Sequence, residues 1–378
     1  MRIERLLTDL GFTENEVNEL ISSKGVVRER YENLYYARFL RGTSLFKRWT
    51  VIFGVNDIIP PYPPVRRIYN IKNGLSRHFG EKEFYLEELV DGYNVRIVSV
   101  LNRVLAITRD GIVCPFSTER ISDFFDVENF FKDHPELILV GEIAGPDNPY
   151  VHDSPTYIKE DIQFFLIDIM KKTSGELLPI EERMKLAEEY GIPQVRSFGK
   201  FTINQLNEVL EYIEMIDDEG NEGVVFKDPE SKLPALKFTT PTAECQDILR
   251  SANFVMETSL VRFIDGFIRI AAYIAEFKLK SVAVDNLSKK LGKAILKPII
   301  GVFENVENKK PIEEEFKIIV KNPETAQKLI DLYYKRGIEI KINDIKMEND
   351  RWIVMFSIPH PQTASKLSSL WRGTSIID

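Results

Sequence analysis

Cysteine is almost missing from this chain: Cys114 and Cys245 are the only two in 378 residues. Two thiols cannot build a disulfide framework, so the fold has to rest on a packed core, and a reducing, cytoplasmic setting is expected. Long hydrophobic runs are missing too. Met1 leads into Arg2, Glu4 and Arg5 without the apolar segment of a secretion signal. The most apolar stretch, Phe263–Phe277, is interrupted by Asp265, Arg269 and Glu276; it is too short and too charged to span a bilayer, and no membrane partner is expected. There is no excess of positive charge either. A net charge of −8 excludes a uniformly basic nucleic-acid binder, although not a local basic face. Neither an internal repeat nor a low-complexity tract is present.

What is present is a hydrophobic fraction of 44%, ordinary for a globular core, in a chain long enough for two or three domains. Charged residues make up 29%, which with few glutamines fits a thermophilic source. One local basic face stands out. Residues 24–48 hold Lys24, Arg28, Arg30, Arg38, Arg41, Lys47 and Arg48 against Glu29 and Glu32, with Tyr31, Tyr35, Tyr36 and Phe39 between them. Cations for phosphates beside rings for bases is the composition of a single-strand-binding surface. The plainer alternative is the solvated face of a helix whose aromatics point into the core.

The chain opens with a helical pair, the second helix capped by Thr13 with Glu16. A strand is expected around Thr50–Phe53, and Pro60-Pro61-Tyr62-Pro63-Pro64 marks a boundary. From about 65 to 240, short apolar runs alternate with turn signals: Val95–Leu101, Val104–Thr108, Leu137–Val140, Gln163–Ile169 and Gly223–Phe226. Helical patches fall at 181–190 and 203–215. This is the pattern of an α+β domain with antiparallel sheets. From 243 to 300 the pattern turns helical, with Phe263, Ile264, Phe267, Ile270, Ala271 and Ile274 expected on one face. The last segment reads strand (Phe316–Val320), helix (Pro323–Arg336) and two strands (Ile338–Ile342, Trp352–Ile358).

Six short patterns follow one another through the middle of the chain. They are Leu89-Val90-Asp91-Gly92-Tyr93-Asn94-Val95-Arg96, Thr108-Arg109-Asp110-Gly111, Gly141-Glu142-Ile143-Ala144-Gly145-Pro146 with Asn148-Pro149-Tyr150-Val151, Phe164-Phe165-Leu166-Ile167-Asp168-Ile169, Glu222-Gly223-Val224-Val225-Phe226-Lys227, and Ala235-Leu236-Lys237-Phe238-Thr239-Thr240. No single pattern is specific, but the ordered set resembles the covalent nucleotidyltransferase superfamily of DNA ligases, RNA ligases and capping enzymes. Asp-Gly-Tyr-Asn-Val-Arg, Glu-Ile-Ala-Gly-Pro-x-Asn-Pro-Tyr-Val and Leu-Lys-Phe-Thr-Thr resemble in particular the archaeal ATP-dependent RNA ligases, which circularise RNA as homodimers. The resemblance covers nearly the whole chain. It implies an N-terminal module (1–62), an antiparallel-sheet nucleotidyltransferase domain (63–242), a helical dimerisation region (243–310, with the element itself near 260–280) and a C-terminal α+β domain (311–378).

The same resemblance implies the chemistry. A lysine attacks the α-phosphate of ATP, the AMP moves to the 5′-phosphate of an RNA, and a 3′-hydroxyl displaces it to seal the strand. Each step is an in-line displacement at phosphorus, so catalysis is mostly positioning and charge neutralisation. Glu142 and Glu222 lie at ends of apolar strands and suit Mg²⁺ or Mn²⁺, which take oxygen ligands. Lys237 suits the α-phosphate; Lys227 is a weaker phosphate candidate. Where distant relatives carry a second lysine, Thr239 stands. Asp91, Gly92, Asn94, Arg96 and Arg109 belong to the nucleotide-binding set, with Asn94 and Arg109 at positions that hold AMP or the 5′-phosphate and Arg96 either binding or structural. Phe164 and Phe165 face opposite sides of their strand; one stacks on adenine and the other is core, with Phe165 favoured for the base. Arg38, Arg41, Lys47 and Arg48 are the RNA-binding candidates.

One residue departs from the family's pattern, and it is the central one. The family has Lys-x-Asp-Gly; here the lysine position holds Leu89, which has no lone pair to attack a phosphate. The nearest upstream lysine is Lys82, seven residues away. Three accounts stay open: a deliberate replacement that traps a substrate state, a natural paralogue without self-adenylation, and a shifted register with another nucleophile. ATP and metal binding are expected to persist. So is the sealing of pre-adenylated RNA or DNA donors, which needs no covalent lysine. The competing functions are a non-catalytic binder of RNA ends, and a DNA ligase or capping enzyme, which would place a β-barrel rather than helices after Thr240.

Overall fold

The computed structural model describes residues 3–374, so the outermost limits expected above, residues 1 and 378, lie outside it. Helices α1 (Ile3–Asp9) and α2 (Glu14–Ser22) open the chain. Between them the expected capping box forms: Thr13 Oγ1 accepts from the Glu16 amide at 3.4 Å, and Glu16 Oε2 accepts from the Thr13 amide at 2.8 Å. The helices bury Leu6, Leu7, Val17 and Leu20 against an antiparallel sheet. That sheet runs in sequence order β1 (Val26–Tyr31), β2 (Leu34–Phe39), β3 (Val51–Gly54) and β4 (Asp57–Ile59). The basic segment is therefore not a helix face; most of it is the β1–β2 hairpin. Arg28 and Arg30 alternate outward along β1 because side chains in a strand repeat every two residues. Tyr36 and Phe39 turn into the core, 2% and 0% exposed, so neither ring is offered to a base.

Two twisted sheets follow. The first gathers β5 (Arg66–Arg67), β6 (Phe84–Leu89), β11 (Ser197–Phe201), β12 (Gly223–Lys227) and β13 (Leu236–Thr239) in the order β11-β6-β12-β13-β5. Its pairs are antiparallel except β13–β5. One face buries Leu86, Val224, Phe226 and Phe238 in a core shared with α3 (Ile71–Phe79) and α7 (Leu206–Glu219). The second sheet, order β10-β9-β7-β8, holds β7 (Tyr93–Val100), β8 (Arg103–Thr108), β9 (Leu137–Ala144) and β10 (Gln163–Lys171). Helices α4 (Pro115–Arg120) and α5 (Val127–Asp133) contribute Phe116, Phe130 and Phe131 to its core, and α6 (Ile180–Glu189) adds Ala187. The molecule is thus an α+β protein built on antiparallel sheets.

After β13 the chain becomes helical, with Thr240 capping α8 (Pro241–Asn253). Helices α9 (Leu260–Glu276) and α10 (Ser281–Glu307) then pack against α8 around Ile248, Phe263, Ile270 and Ala294. The expected single apolar face of α9 is divided. Phe263 and Ile270 are buried, whereas Leu260, Val261, Ile264 and Ile268 form a row 47–70% exposed. The final sheet, order β14-β16-β15, comprises β14 (Glu313–Val320), β15 (Lys341–Glu348) and β16 (Arg351–Pro359), with α11 (Pro323–Lys335) and α12 (Pro361–Trp371) alongside. Phe316, Ile318, Leu329, Tyr333 and Phe356 enter the same core as β7–β10. The C-terminal segment is therefore fused onto the central domain. Among the described residues, no helix is long and apolar enough to cross a membrane.

Candidate active site

Strand register builds the site. Leu89, Gly223 and Thr239 lie in one row across β6, β12 and β13; Glu87, Val225 and Lys237 make the next row. Residues two apart on a strand share a face, so all six point the same way, opposite the apolar core of that sheet. Gly223 is obligatory here: it sits at φ 153°, and a Cβ would come within 2.1 Å of the Phe238 carbonyl oxygen. On the other sheet Glu142 stands between Asn94 and Phe165 in adjacent strands. A cavity of about 440 Å³ lies between these faces, a size suited to a small ligand. It is lined by Leu89, Asp91, Gly92, Asn94, Arg109, Glu142, Glu222, Lys227 and Lys237, and α8 and α9 add Asp247, Arg250 and Arg262.

The charged groups around this cavity fall into two sets. In the first, every charge has a partner. Glu87, 1% exposed, is clamped by Arg183 at 2.5 Å and Lys227 at 3.0 Å, and Lys227 also reaches Asp168 at 3.0 Å. Tyr62 donates to Asp168 at 2.5 Å. Glu88 holds Arg196 at 3.0 Å. Glu244 takes Arg269 at 2.6 Å and Arg67 at 3.5 Å, and Thr239 bridges them by accepting from Arg67 and donating to Glu244. Arg250 pairs with Asp153. These groups are scaffold.

The second set has no ion-pair partner among the described residues: Asp91, Glu142, Glu222 and Asp247 on the acidic side, Arg109, Arg262 and Lys237 on the basic side. Their proton affinities carry the mark of mutual confinement. Burial, reinforced by Asp91, pushes Glu142 up to about 8 despite the Asn94 amide and the charges of Lys237 and Arg109. Burial and Asp91 raise Glu222 well above the carboxylate range. Asp91 rises to about 6 through burial and the nearby Asp247 charge. Lys237 is lowered, chiefly by burial and with help from Arg67 and Arg109, against the pull of Glu222 and Glu142. Desolvation that wins over pairing is typical of sites kept open for a ligand.

Among the described residues no three His, Cys, Asp or Glu side chains form a ready-made metal cage. The donor set nevertheless fits one kind of ion. Mg²⁺ typically takes one or two protein carboxylates and completes its shell with water and substrate phosphates. Glu142 is close enough to Glu222 to raise its proton affinity. Beside Glu142 the Asn94 Oδ1 is buried without a hydrogen-bond partner, its amide nitrogen donating to Gly141 O at 3.2 Å and Glu142 Oε2 at 3.5 Å.

Other candidates are placed differently from their expected roles. Arg96 is 0% exposed and donates to the carbonyls of Pro60 (2.6 Å), Thr108 (3.2 Å) and Trp49 (3.4 Å); it is a structural cation and does not line the cavity. Phe164 is 0% exposed beneath Phe124 and Phe125, which removes it from base contact. Phe165 is half-buried and packs with Val90 and Val195, both cavity-lining residues. Lys227 reaches the cavity wall but is held by Glu87, Asp168 and the Ile167 carbonyl. Of the basic-segment residues, Arg38 pairs with Glu29 at 2.6 Å, and Arg41 is committed to Glu19 and Ser23. Lys47 and Arg48 are exposed. Sequence reasoning missed Arg67, Asp247, Arg250 and Arg262, all outside the ordered motifs. Only the adjacent Arg66-Arg67 pair after the proline run offered a signal.

Comparison with known proteins follows the same outline. The RNA ligase family profile matches residues 82–239, and the profile described as "Ligase Pab1020 C-terminal region" matches residues 251–374. An uncharacterized protein of Methanocaldococcus jannaschii is 28% identical over 386 residues, covering 98% of this chain and 96% of that one. A structure described as a putative ATP-dependent DNA ligase from Aquifex aeolicus is 31% identical, with a TM-score of 0.90 over 97% of this chain and 100% of that one. A structure described as an archaeal ATP-dependent RNA ligase is 26% identical, with a TM-score of 0.91 over 99% of both chains. The two structural relatives thus carry different nucleic acids in their descriptions.

Proposed function

This chain belongs to the RNA ligase family, and we propose that it is an ATP-dependent RNA ligase arrested before its first covalent step, competent to seal ends that arrive already adenylated. The observation that carries the proposal is the contrast at the cavity. The unpaired groups Glu142, Glu222, Lys237, Asp91 and Arg109 are all gathered around it, while the position that faces them from the end of β6 is Leu89. Everything that would bind and orient a nucleotide is present, and the nucleophile is not. The register also argues against a substitute: Lys227 is held under Glu87 and Asp168, and Lys237 is one row away from Leu89, two strands over.

The residues divide the work as follows. Val90, Ile167, Val195 and Val225 supply apolar walls for a base, with Phe165 behind them. Lys237 offers an uncommitted ammonium to the phosphate beside the sugar, and Arg109, exposed at the mouth, offers a guanidinium to the donor's 5′-phosphate. Glu142, Glu222 and the Asn94 amide oxygen would hold Mg²⁺ or Mn²⁺, which when bound neutralises charge on the phosphoryl oxygens. In the sealing reaction the 3′-hydroxyl oxygen bonds to the donor phosphorus, the bond from that phosphorus to AMP breaks, AMP leaves, and the hydroxyl proton is released to water. Positioning and charge neutralisation carry this step.

RNA is favoured over DNA as substrate by the family profile across the catalytic motifs. The exposed apolar row Leu260, Val261, Ile264 and Ile268 supports a homodimer through α9, and the domain limits 1–62, 63–242, 243–310 and 311–378 stand as proposals with it. The test is a single-turnover assay with 5′-adenylated RNA and a 3′-hydroxyl acceptor, metal present and ATP absent. Joined product is expected. Tight binding of the ends without any joining would instead favour a non-catalytic end-binding protein.

A further inference from the structure

We infer that Trp49 is a stacking platform for a base of the RNA strand entering the cavity, an inference that rests on the RNA-ligase reading above. Trp49 was not among the candidates suggested by composition. Its backbone draws attention first, with φ at +71°. Left-handed geometry is disfavoured for a bulky residue and persists only where the surroundings enforce it. Here they do. The Trp49 amide donates to the Phe39 carbonyl at 2.7 Å, and its own carbonyl accepts from the buried Arg96 at 3.4 and 3.5 Å. Around it, Thr50 Oγ1 donates to Lys47 O at 2.8 Å, Thr43 Oγ1 accepts from the Phe46 amide at 2.9 Å, and Phe46 packs on Phe12 and Phe39. The loop from Thr43 to Trp49 is therefore tied down at both ends while Lys47 and Arg48 stay exposed.

The ring stands among guanidinium groups. Arg48 Cζ lies 4.2 Å from its centroid and Arg38 Cζ 5.8 Å. Arg48 has no ion-pair partner among the described residues, so its charge is available to a phosphate. Arg38 is half committed to Glu29, but it also donates to the Asp110 carbonyl at 3.2 Å. A Cβ at Gly111 would come within 3.0 Å of the Arg38 side chain, so that turn is shaped around it. Arg109 precedes Asp110 and lines the cavity mouth. Arg96 makes the second link, holding the Trp49 and Thr108 carbonyls with one guanidinium. Through Arg38 and Arg96 the Trp49 loop is thus tied to the Thr108–Gly111 turn beside the cavity mouth. The ligand class is single-stranded RNA, its base on the ring and its phosphates on Arg48 and Lys47.

The test uses the full chain with Leu89 in place and a short 5′-phosphorylated single-stranded RNA. The chain has three tryptophans, so Trp352→Phe combined with Trp371→Phe leaves Trp49 as the sole indole reporter. RNA is expected to quench it at saturation. Trp49→Ala is expected to weaken binding about tenfold or more, the range of one lost base stack, while Trp49→Phe keeps most of the affinity. Arg48→Ala should lower the salt dependence by about one phosphate contact. ATP binding should be unchanged in all three, which also reports folding. Unquenched Trp49 with RNA bound, or parental affinity in Trp49→Ala, overturns the platform and leaves the ligase reading intact. Absence of RNA binding by the parent chain overturns both.

Discussion

Replacing Leu89 with lysine is the sharpest perturbation this fold allows. Position 89 ends β6, half-buried, in the row with Gly223 and Thr239 and one row from Lys237. A lysine there would extend into a cavity where burial already lowers the Lys237 ammonium. Two strand spacings and one row put the two positions roughly 12 Å apart. At an effective dielectric of about 20 the repulsion between cations there is about 1.4 kcal/mol, about one pKa unit. That alone would bring an ordinary lysine to about 9, and desolvation would lower it further. The assay is incubation with α-labelled ATP and Mg²⁺, followed by denaturing electrophoresis and intact-mass measurement. The parent and Leu89→Met should take no label; Leu89→Lys should gain one AMP, at a rate that climbs about tenfold per pH unit until about pH 9. The reasoning fails if a folded, ATP-binding Leu89→Lys stays unlabelled. It fails differently if the parent itself becomes labelled, because another nucleophile would then occupy the site, and Lys237→Ala would show whether it is Lys237.

Glu142→Gln and Glu222→Gln should each slow sealing of adenylated RNA by about a hundredfold, the scale for losing one preorganised electrostatic group; a slope of rate against metal concentration unchanged from the parent would refute the metal assignment. Arg183→Met strips the closest partner from a Glu87 that is 1% exposed, and should cost about 3–5 kcal/mol, read by urea unfolding. The His152–Glu314–His360–Glu257 cluster, which ties the C-terminal sheet to the loops beside it, should be sensitive to pH. Burial lowers His360, but the carboxylates of Glu314 and Glu257 beside it prevail and raise it above 6.5. Its stabilising contribution is therefore complete below 6.5 and lost as pH rises through the raised value. Burial acts oppositely on Glu314, yet His152 and His360 hold it at about 2, so its contribution is complete above 4.5 and lost as pH falls toward 2. Stability from the cluster should peak between about 4.5 and 6.5, and His360→Gln should flatten the alkaline side by about 1 kcal/mol, read by thermal melts across pH.

Strand positions in the central domain were legible because their periodicity was strong. Gln163–Ile169 became Gln163–Lys171 and, in the C-terminal segment, Trp352–Ile358 became Arg351–Pro359. The β1–β2 hairpin was not legible, since dense charge in Val26–Tyr31 masks an alternation that shows only once the buried side is known. The split face of α9 was hidden for a related reason. Helical spacing identifies which residues share a side, but not how much of that side its own neighbours α8 and α10 cover.

The site shows why motif reasoning reaches some charges and misses others. Glu142 and Lys237 stood out because each falls within an apolar strand, and Glu222 because it directly precedes one; an unpaired charge there is costly unless a ligand satisfies it. Asp247 and Arg262 lie inside one helix and near the start of another, where a charge is ordinary in sequence and significant only by what it faces. The same criterion separates Arg96 from Lys237. Both interrupt apolar strands, but Arg96 spends its guanidinium on three backbone carbonyls, whereas Lys237 has no ion pair among the described residues. Commitment of the polar atoms, rather than residue type or position in a motif, distinguishes scaffold from site. By that criterion Leu89 is the one cavity position where the surrounding charges call for a functional group and the chain supplies a hydrocarbon, which is why restoring an amine at position 89 tests the whole arrangement at once.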